Sequence, residues 1–92
     1  MYLEIVSPEA TLFSREVTSV TVPGINGEFR MLQNHAPIVS LLQEGKVKVQ
    51  GNMNIEEEYA SKFTKNVNGN TVLEISSGTV ELKDNKVIVL AD

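Results

Sequence analysis

The chain has 92 residues, no cysteine and a formal net charge of −4 at pH 7. This length suits one domain with a modest core, and the lack of cysteine excludes disulfide frameworks, thiolate zinc sites and cysteine nucleophiles. Acidic residues outnumber the scattered Lys and Arg by 12 to 8, which argues against nucleic acid as a partner because nucleic-acid binders present a basic patch.

Short runs rich in Val, Ile and Thr recur along the chain, separated by turn residues. Branched side chains favour pleated strands, and Lys46–Gln50 alternates most clearly, as in a strand with one solvated face. Strands are predicted at residues 2–6, 16–22, 28–32, 38–42, 46–50, 55–59, 71–76, 79–83 and 86–90. No stretch shows a convincing 3.6-residue period, so the pattern predicts an all-β fold, an antiparallel sandwich or barrel.

Some segments between these runs are harder to interpret. Leu12-Phe13 is a brief apolar patch, and residues 61–67 have no clear period. The acids at 56–58 favour a helix N-terminus, although the flanking strands favour a strand there. Asn68-Gly69 is the strongest hairpin signal because both residues tolerate positive φ, and Asp84-Asn85 joins the last two strands.

Residues 22–37 concentrate the special backbone residues of the chain. They hold two of the three prolines, two of the six glycines and the only histidine. Strand-like sequence enters and leaves this segment, which predicts a shaped loop. Loops on a rigid scaffold frequently carry function, so this segment is the first candidate for a site.

Catalytic and metal chemistry has little support in the residues. A general base needs an orienting partner and a zinc site needs three or four ligands, and the spacing around His35 supplies neither. His35 is therefore interpreted as holding the turn at 34–37 or as contacting a partner. The carboxylates at 56–58 alternate between strand faces, so at most two converge, and the sequence after Gly27 lacks the Lys-Ser or Lys-Thr of a P-loop.

Taken alone, the residues indicate a non-enzymatic β domain with one conspicuous loop. A free-standing β-sandwich module that binds protein or carbohydrate is one alternative, and a small enzyme centred on His35 is another. No cofactor and no metal are expected. No run approaches the roughly 20 apolar residues of a membrane span, and the early acid Glu4 is unlike a signal peptide.

Four fragments in order resemble the epsilon subunit of F-type ATP synthase, over residues 1 to about 50 and 72–92. They are Leu3 to Glu9 followed by Leu12-Phe13-Ser14; Val22-Pro23-Gly24 with Gly27-Glu28-Phe29; Asn34-His35-Ala36-Pro37; and Ser77-Gly78, Val80-Glu81-Leu82 and Asn85 to Asp92.

The resemblance implies a β-sandwich of about ten strands that forms a single domain over residues 1–92. It implies a non-catalytic central-stalk subunit that binds the gamma subunit and the polar loops of the c-ring, and that couples proton-driven rotation to ATP synthesis. The expected location is peripheral, at the cytoplasmic face of the bacterial inner membrane in the F1 sector, with membrane association only through the complex.

The resemblance also implies which residues contact partners. Glu28 occupies the acidic position that approaches the c-ring, and His35 the histidine position near the gamma-facing side. Arg30 stands where the family usually has glycine, and Gln33 where it often has proline. The predicted contact set is Glu28, Arg30, Gln33, Asn34 and His35.

Two further departures from the family concern length. Residues 61–70 are interpreted as an insertion in a hairpin that is usually short, with Asn68-Gly69 at its tip. The family usually continues past Ala91-Asp92 into a C-terminal helical hairpin that inhibits hydrolysis, so inhibition by hairpin insertion is not expected. The start at Met1 favours a naturally short subunit over a piece cut at the domain boundary.

Overall fold

The computed structural model describes residues 1–51, 62–65 and 70–92. The predicted strand at 55–59, the acids at 56–58 and the predicted tip at Asn68-Gly69 lie outside the described residues. So does half of the segment 61–70 that was interpreted as an insertion.

The described part of the chain forms ten β-strands. Their bounds are β1 Tyr2–Val6, β2 Thr11–Glu16, β3 Ser19–Gly24, β4 Gly27–Leu32, β5 Ile38–Leu42, β6 Gly45–Gln50, β7 Phe63–Lys65, β8 Thr71–Ile75, β9 Gly78–Lys83 and β10 Lys86–Ala91. The predicted all-β class is confirmed.

The ten strands form one curled sheet in the order β2-β1-β10-β9-β5-β3-β6-β8-β7, with β4 paired to the other edge of β3. The step from β5 to β3 rests on the single pair Gly24–Leu42. The sheet therefore divides there into two halves, which enclose a shared core as in a sandwich. Only β1 and β10 pair in parallel among the described pairings, so the predicted antiparallel arrangement holds for the others.

Alternation along the strands fills the core from both halves. Leu3 and Ile5 of β1 are fully buried, as are Val47 and Val49 of β6. The rings of Phe13 and Phe63 lie 6.4 Å apart and connect β2 to β7. The solvated face predicted for residues 46–50 is thus confirmed, since exposed Lys46, half-buried Lys48 and exposed Gln50 alternate with the two buried valines.

The sequence indicated only the apolar patch Leu12-Phe13 where the structure has strand β2. The structure shows why the sequence of this strand lacks a two-residue alternation. The β1–β2 register shifts between Ile5 and Val6, which pair with Phe13 and Thr11, so Leu12 is an extra residue in the ladder. Such a bulge breaks the two-residue alternation. Leu12 and Phe13 are consequently both buried despite being adjacent.

Strand β3 extends through Pro23-Gly24, which the sequence indicated as a turn. The dipeptide pairs with Glu28 and Gly27 of β4, and the carbonyl of Pro23 accepts a hydrogen bond from the Gln43 amide at 2.9 Å. Glycine is required at position 24 because a Cβ would lie 2.8 Å from a ring carbon of Phe29. The turn itself is therefore reduced to Ile25-Asn26.

Candidate functional site

The segment 22–37, predicted as one shaped loop, consists of a β-hairpin and a short loop. Strands β3 and β4 form the hairpin, and residues 33–37 lead from β4 into β5. Alternation along β4 turns Met31 into the core, where it is fully buried, and exposes Glu28 and Arg30. Two of the predicted contact residues therefore lie on a strand, whose ladder fixes their direction.

Glu28 and Arg30 each contact a residue of β6, two strands away. The Lys48 ammonium donates to Glu28 Oε2 at 3.2 Å, and Arg30 Nη2 donates to Gln50 Oε1 at 2.9 Å. Gln50 Oε1 also accepts a hydrogen bond from Ser19 Oγ at 3.3 Å. These contacts place a polar, mixed-charge surface on the outer face of β4, β3 and β6.

The loop 33–37 exposes Gln33, Asn34 and His35. The backbone amide of His35 donates to the Leu32 carbonyl at 3.2 Å, and its ring Nδ1 lies 2.7 Å from the Ala36 carbonyl oxygen. The side chain is thus engaged with its own turn. This is the contact expected if His35 holds the turn, and its contact with a partner stays a prediction.

Asn34 makes the longest-range contact of this loop. Its backbone amide donates to Asn85 Oδ1 at 2.6 Å, and Asn85 Nδ2 donates to Asn34 Oδ1 at 3.0 Å. Asn85 lies in the turn between β9 and β10. The loop is therefore attached to a strand pair 51 residues away in sequence.

The five predicted contact residues do not form one cluster. Glu28 pairs with Pro23 beside the Ile25-Asn26 turn, whereas Leu32, at the start of the His35 loop, pairs with Ser19 at the far end of β3. Four strand residues span about 13 Å. Glu28 thus lies at one end of β4 and His35 in the loop beyond the other end, so the two residues are suited to two different contacts.

An apolar strip on the outer face of the other half was missed by sequence reasoning. Leu41 of β5 and Leu90 of β10 both pair with Thr79 of β9, so the three lie in a row across the sheet. Leu41 is 58% exposed and Leu90 51% exposed. Val39 lies two residues along β5 and is 76% exposed, and Ile25, at 50%, donates its amide to the Leu41 carbonyl at 3.1 Å.

A signal for this strip exists in the sequence of β5, Ile38-Val39-Ser40-Leu41-Leu42. Apolar residues there occupy both faces of the strand, which is typical of strands that are covered on both sides. In the structure Leu42 faces the core and Leu41 faces solvent. We name Ile25, Val39, Leu41 and Leu90 the apolar strip.

The described residues offer several contact surfaces. Within residues 1–51, 62–65 and 70–92, no group of three His, Cys, Asp or Glu residues is placed to hold a metal ion. The same residues include no helix long and apolar enough to cross a bilayer. What they present is a polar face carrying Glu28, an exposed loop carrying His35, and the apolar strip.

Comparison with known proteins points to one family. The family described as "ATP synthase, Delta/Epsilon chain, beta-sandwich domain" matches residues 1–62. The ATP synthase epsilon chain of Campylobacter fetus is 39% identical over 93 residues, and that of Campylobacter curvus 36% over 92, each covering 100% of this chain. The epsilon chain of Desulforamulus reducens is 37% identical over 90 residues and covers 98% of this chain.

The chain spans 57–60% of the length of these relatives.

Solved structures show the same fold at lower identity. A chain in the cryo-EM structure of the central stalk and c-ring of Tetrahymena thermophila mitochondrial ATP synthase has a TM-score of 0.73 at 15% identity, over 99% of this chain and 62% of its own length. A chain in the Euglena gracilis mitochondrial ATP synthase has a TM-score of 0.72 at 20% identity, over 97% and 48%.

Proposed function

The chain belongs to the β-sandwich family of ATP synthase delta and epsilon chains, and we propose that it is a non-catalytic central-stalk subunit of an F-type ATP synthase. In this role residues 1–92 act as one domain that binds the gamma subunit and the polar loops of the c-ring. The subunit transmits rotation of the ring to the catalytic head. Its membrane association, at the cytoplasmic face of a bacterial inner membrane, is through the complex.

The observation that carries the proposal is the apolar strip. Soluble monomers rarely expose a large apolar surface without a partner for it, and here Val39 and Leu41 of β5 and Leu90 of β10 are each more than half exposed on the two strands that flank β9. Burying an apolar side chain of this size contributes about 1.5–3 kcal/mol. A stalk subunit needs such a surface because it must stay bound while torque passes through it.

The two ends of β4 are assigned to two partners, the gamma subunit and the c-ring. The His35 loop leads directly into β5, which carries Val39 and Leu41, so the loop and the apolar strip are assigned to the gamma subunit. Glu28 lies at the other end of β4, near Ile25 of the strip, but its carboxylate is turned to the polar face, where it pairs with Lys48. Its carboxylate suits hydrogen bonds to the polar loops of the c-ring, where charge complementarity governs specificity more than affinity.

The two alternatives are less well supported. A carbohydrate-binding module displays aromatic side chains, yet Phe13 and Phe63 are buried and Phe29 is half-buried. An enzyme centred on His35 needs a second group beside the ring, and the contact of that ring among the described residues is the Ala36 carbonyl. Neither a carbohydrate site nor an enzyme centred on His35 accounts for the apolar strip. A free-standing protein-binding module could also use the strip, and it is the family match that favours the stalk subunit.

The proposal is tested by measuring the affinity of the chain for purified gamma subunit by calorimetry. The double variant Val39→Lys with Leu41→Lys places two charges on the apolar strip and should weaken binding at least ~100-fold, since buried apolar anchors dominate interface energy. Its melting temperature should be almost unchanged because both side chains point to solvent.

Thr64→Lys is the matched control. Thr64 is exposed on β7, at the edge of the other half of the sheet, where it lies on neither the apolar strip nor the His35 loop. This variant should bind gamma within ~3-fold of the unsubstituted chain, because isolated surface changes have small effects. Absence of binding by the unsubstituted chain would overturn the proposed function.

A further inference from the structure

The loop that carries His35 is joined to the β9–β10 turn by two asparagines. Asn85 Oδ1 accepts the Asn34 backbone amide at 2.6 Å, and Asn85 Nδ2 donates to Asn34 Oδ1 at 3.0 Å. Within the described residues these are the hydrogen bonds that connect the loop to a distant strand pair, since those of His35 stay within residues 32–36. Asn85 therefore attaches the loop to the β9–β10 turn.

Backbone geometry makes this contact specific to asparagine-like residues. Asn34 has φ 64°, Asp84 φ 52° and Asn85 φ 61°, in the left-handed region where Asn and Asp are several-fold enriched among non-glycine residues. Positive φ at both Asp84 and Asn85 gives the tight two-residue turn whose twist matches the strands. The same conformation aims the Asn85 carboxamide at the loop.

Asn85 also connects to the first strand. Its backbone carbonyl accepts the Tyr2 amide at 2.8 Å, so the residue links β1, the β9–β10 turn and the His35 loop. This bond uses the main chain and survives any side-chain substitution that keeps the turn. The contribution of the carboxamide to the loop can thus be separated from the contribution of the backbone to the fold.

We propose that Asn85 is a positioning residue: its carboxamide holds residues 33–37 in the conformation in which His35 meets the partner subunit. The inference rests on the proposed function, because it concerns the gamma-facing loop. An exposed five-residue loop without this contact samples more conformations and loses more entropy on docking, and pre-ordering a loop improves affinity by removing that cost. His35 itself stays unchanged in each variant below.

Asn85→Gly removes the carboxamide while keeping positive φ, which glycine adopts without strain. Hydrogen exchange at the Asn34 amide should accelerate at least ~10-fold, because its acceptor is lost. The Tyr2 amide should keep its protection, because its acceptor is the backbone carbonyl. The Kd for gamma should rise ~5- to 20-fold, the range expected for losing one or two exposed hydrogen bonds.

Asp84→Gly is the matched control, since it makes the same kind of backbone change at the neighbouring positive-φ position. The Asp84 side chain has no hydrogen bond to the loop among the described residues, so Asn34 exchange and the Kd should both stay within ~2-fold of the unsubstituted chain.

Asn85→Asp is the rescue variant. A carboxylate at this position accepts the Asn34 amide as before, and a flip of the Asn34 carboxamide presents its NH₂ group to the second carboxylate oxygen. Both bonds are then re-formed, so slow Asn34 exchange and tight gamma binding should return.

Each outcome is diagnostic. If Asn85→Gly speeds Asn34 exchange and leaves the Kd for gamma unchanged, the positioning role is wrong while the proposed function stands. If Asn34 exchange does not change in Asn85→Gly, the carboxamide does not hold the loop and the inference is also wrong. If the unsubstituted chain fails to bind gamma at all, the proposed function fails, and positioning for that partner fails with it.

Discussion

At the residue scale, Glu28 is an exposed charge whose only ion pair in the described part of the chain contributes little to stability. Its carboxylate is 3.2 Å from the Lys48 ammonium, and the two side chains are 53% and 32% exposed. Exposed pairs of this kind stabilise by about 0–1 kcal/mol because water screens them and the side chains lose entropy. The pair therefore leaves Glu28 available to a partner at little cost to the fold.

Glu28→Gln should accordingly lower the free energy of unfolding by less than about 1 kcal/mol. It should also weaken assembly with a complex of gamma and c-ring at least ~5-fold, because a charge-assisted hydrogen bond is roughly twice as strong as a neutral one. Urea denaturation and a quantitative pull-down measure the two effects.

Lys48→Gln is the control for this prediction, because it breaks the same ion pair and keeps the Glu28 carboxylate. Assembly should be retained in this variant. A loss of more than about 2 kcal/mol of stability in Glu28→Gln would indicate a structural residue instead.

At the scale of elements, the junction between the two halves depends on few contacts. Strands β3 and β5 share the pair Gly24–Leu42. Beside it the Gln43 amide donates to the Pro23 carbonyl at 2.9 Å, and Gln43 Nε2 donates to the Gly24 carbonyl at 3.1 Å. The Gln43 side chain thus supplies a hydrogen bond where the sheet turns from one half to the other.

Gln43→Ala should destabilise the protein by about 0.5–1.5 kcal/mol, because the carbonyl of buried Gly24 loses a donor. Thermal denaturation measures the change. Glu44→Ala is the comparison, since Glu44 is exposed, adjacent, and without a hydrogen bond in the described part of the chain. An equal effect in both variants would contradict a specific role for the Gln43 carboxamide.

The elements also show why sequence patterns succeeded unevenly. Strand β6 was predicted from its alternation, and Val47 and Val49 are indeed buried. Strand β2 was not predicted at its full length because the bulge at Leu12 places two adjacent residues in the core and so breaks the alternation. The end of β3 was predicted as a turn because Pro23 and Gly24 are each typical of turns. Their pairing with β4 keeps them extended.

At the scale of the whole molecule, both halves contribute to one buried cluster, which includes Leu3 of β1 and Val47 of β6. The Phe13–Phe63 contact adds an aromatic pair between β2 and β7. A small domain with one core usually unfolds in a single cooperative step. The prediction that residues 1–92 form one domain is therefore testable by unfolding.

Leu3→Ala should lower stability by about 2–5 kcal/mol, since it deletes a fully buried side chain. Unfolding followed by NMR should show the same midpoint for amides of β1 and of β6, both shifted together by the substitution. Leu32→Ala, the same change at an exposed position, should shift the midpoint far less. Separate midpoints for the two halves would contradict a single domain.

The sequence by itself determined the all-β class, most strand positions, the inward residues of the regular strands, and the family. These follow from local alternation and from short motifs, which neighbouring residues carry. It also indicated Glu28 and His35 as contact residues, a prediction that awaits the binding experiments.

Only the tertiary structure decided which distant residues meet. The apolar strip joins Ile25, Leu41 and Leu90 from three parts of the chain, and Asn34 meets Asn85 across 51 residues. No local pattern reports such neighbours, because strand order and register are set by the packing of the whole sheet. The sequence therefore predicts individual contact residues, and the fold determines which of them lie side by side.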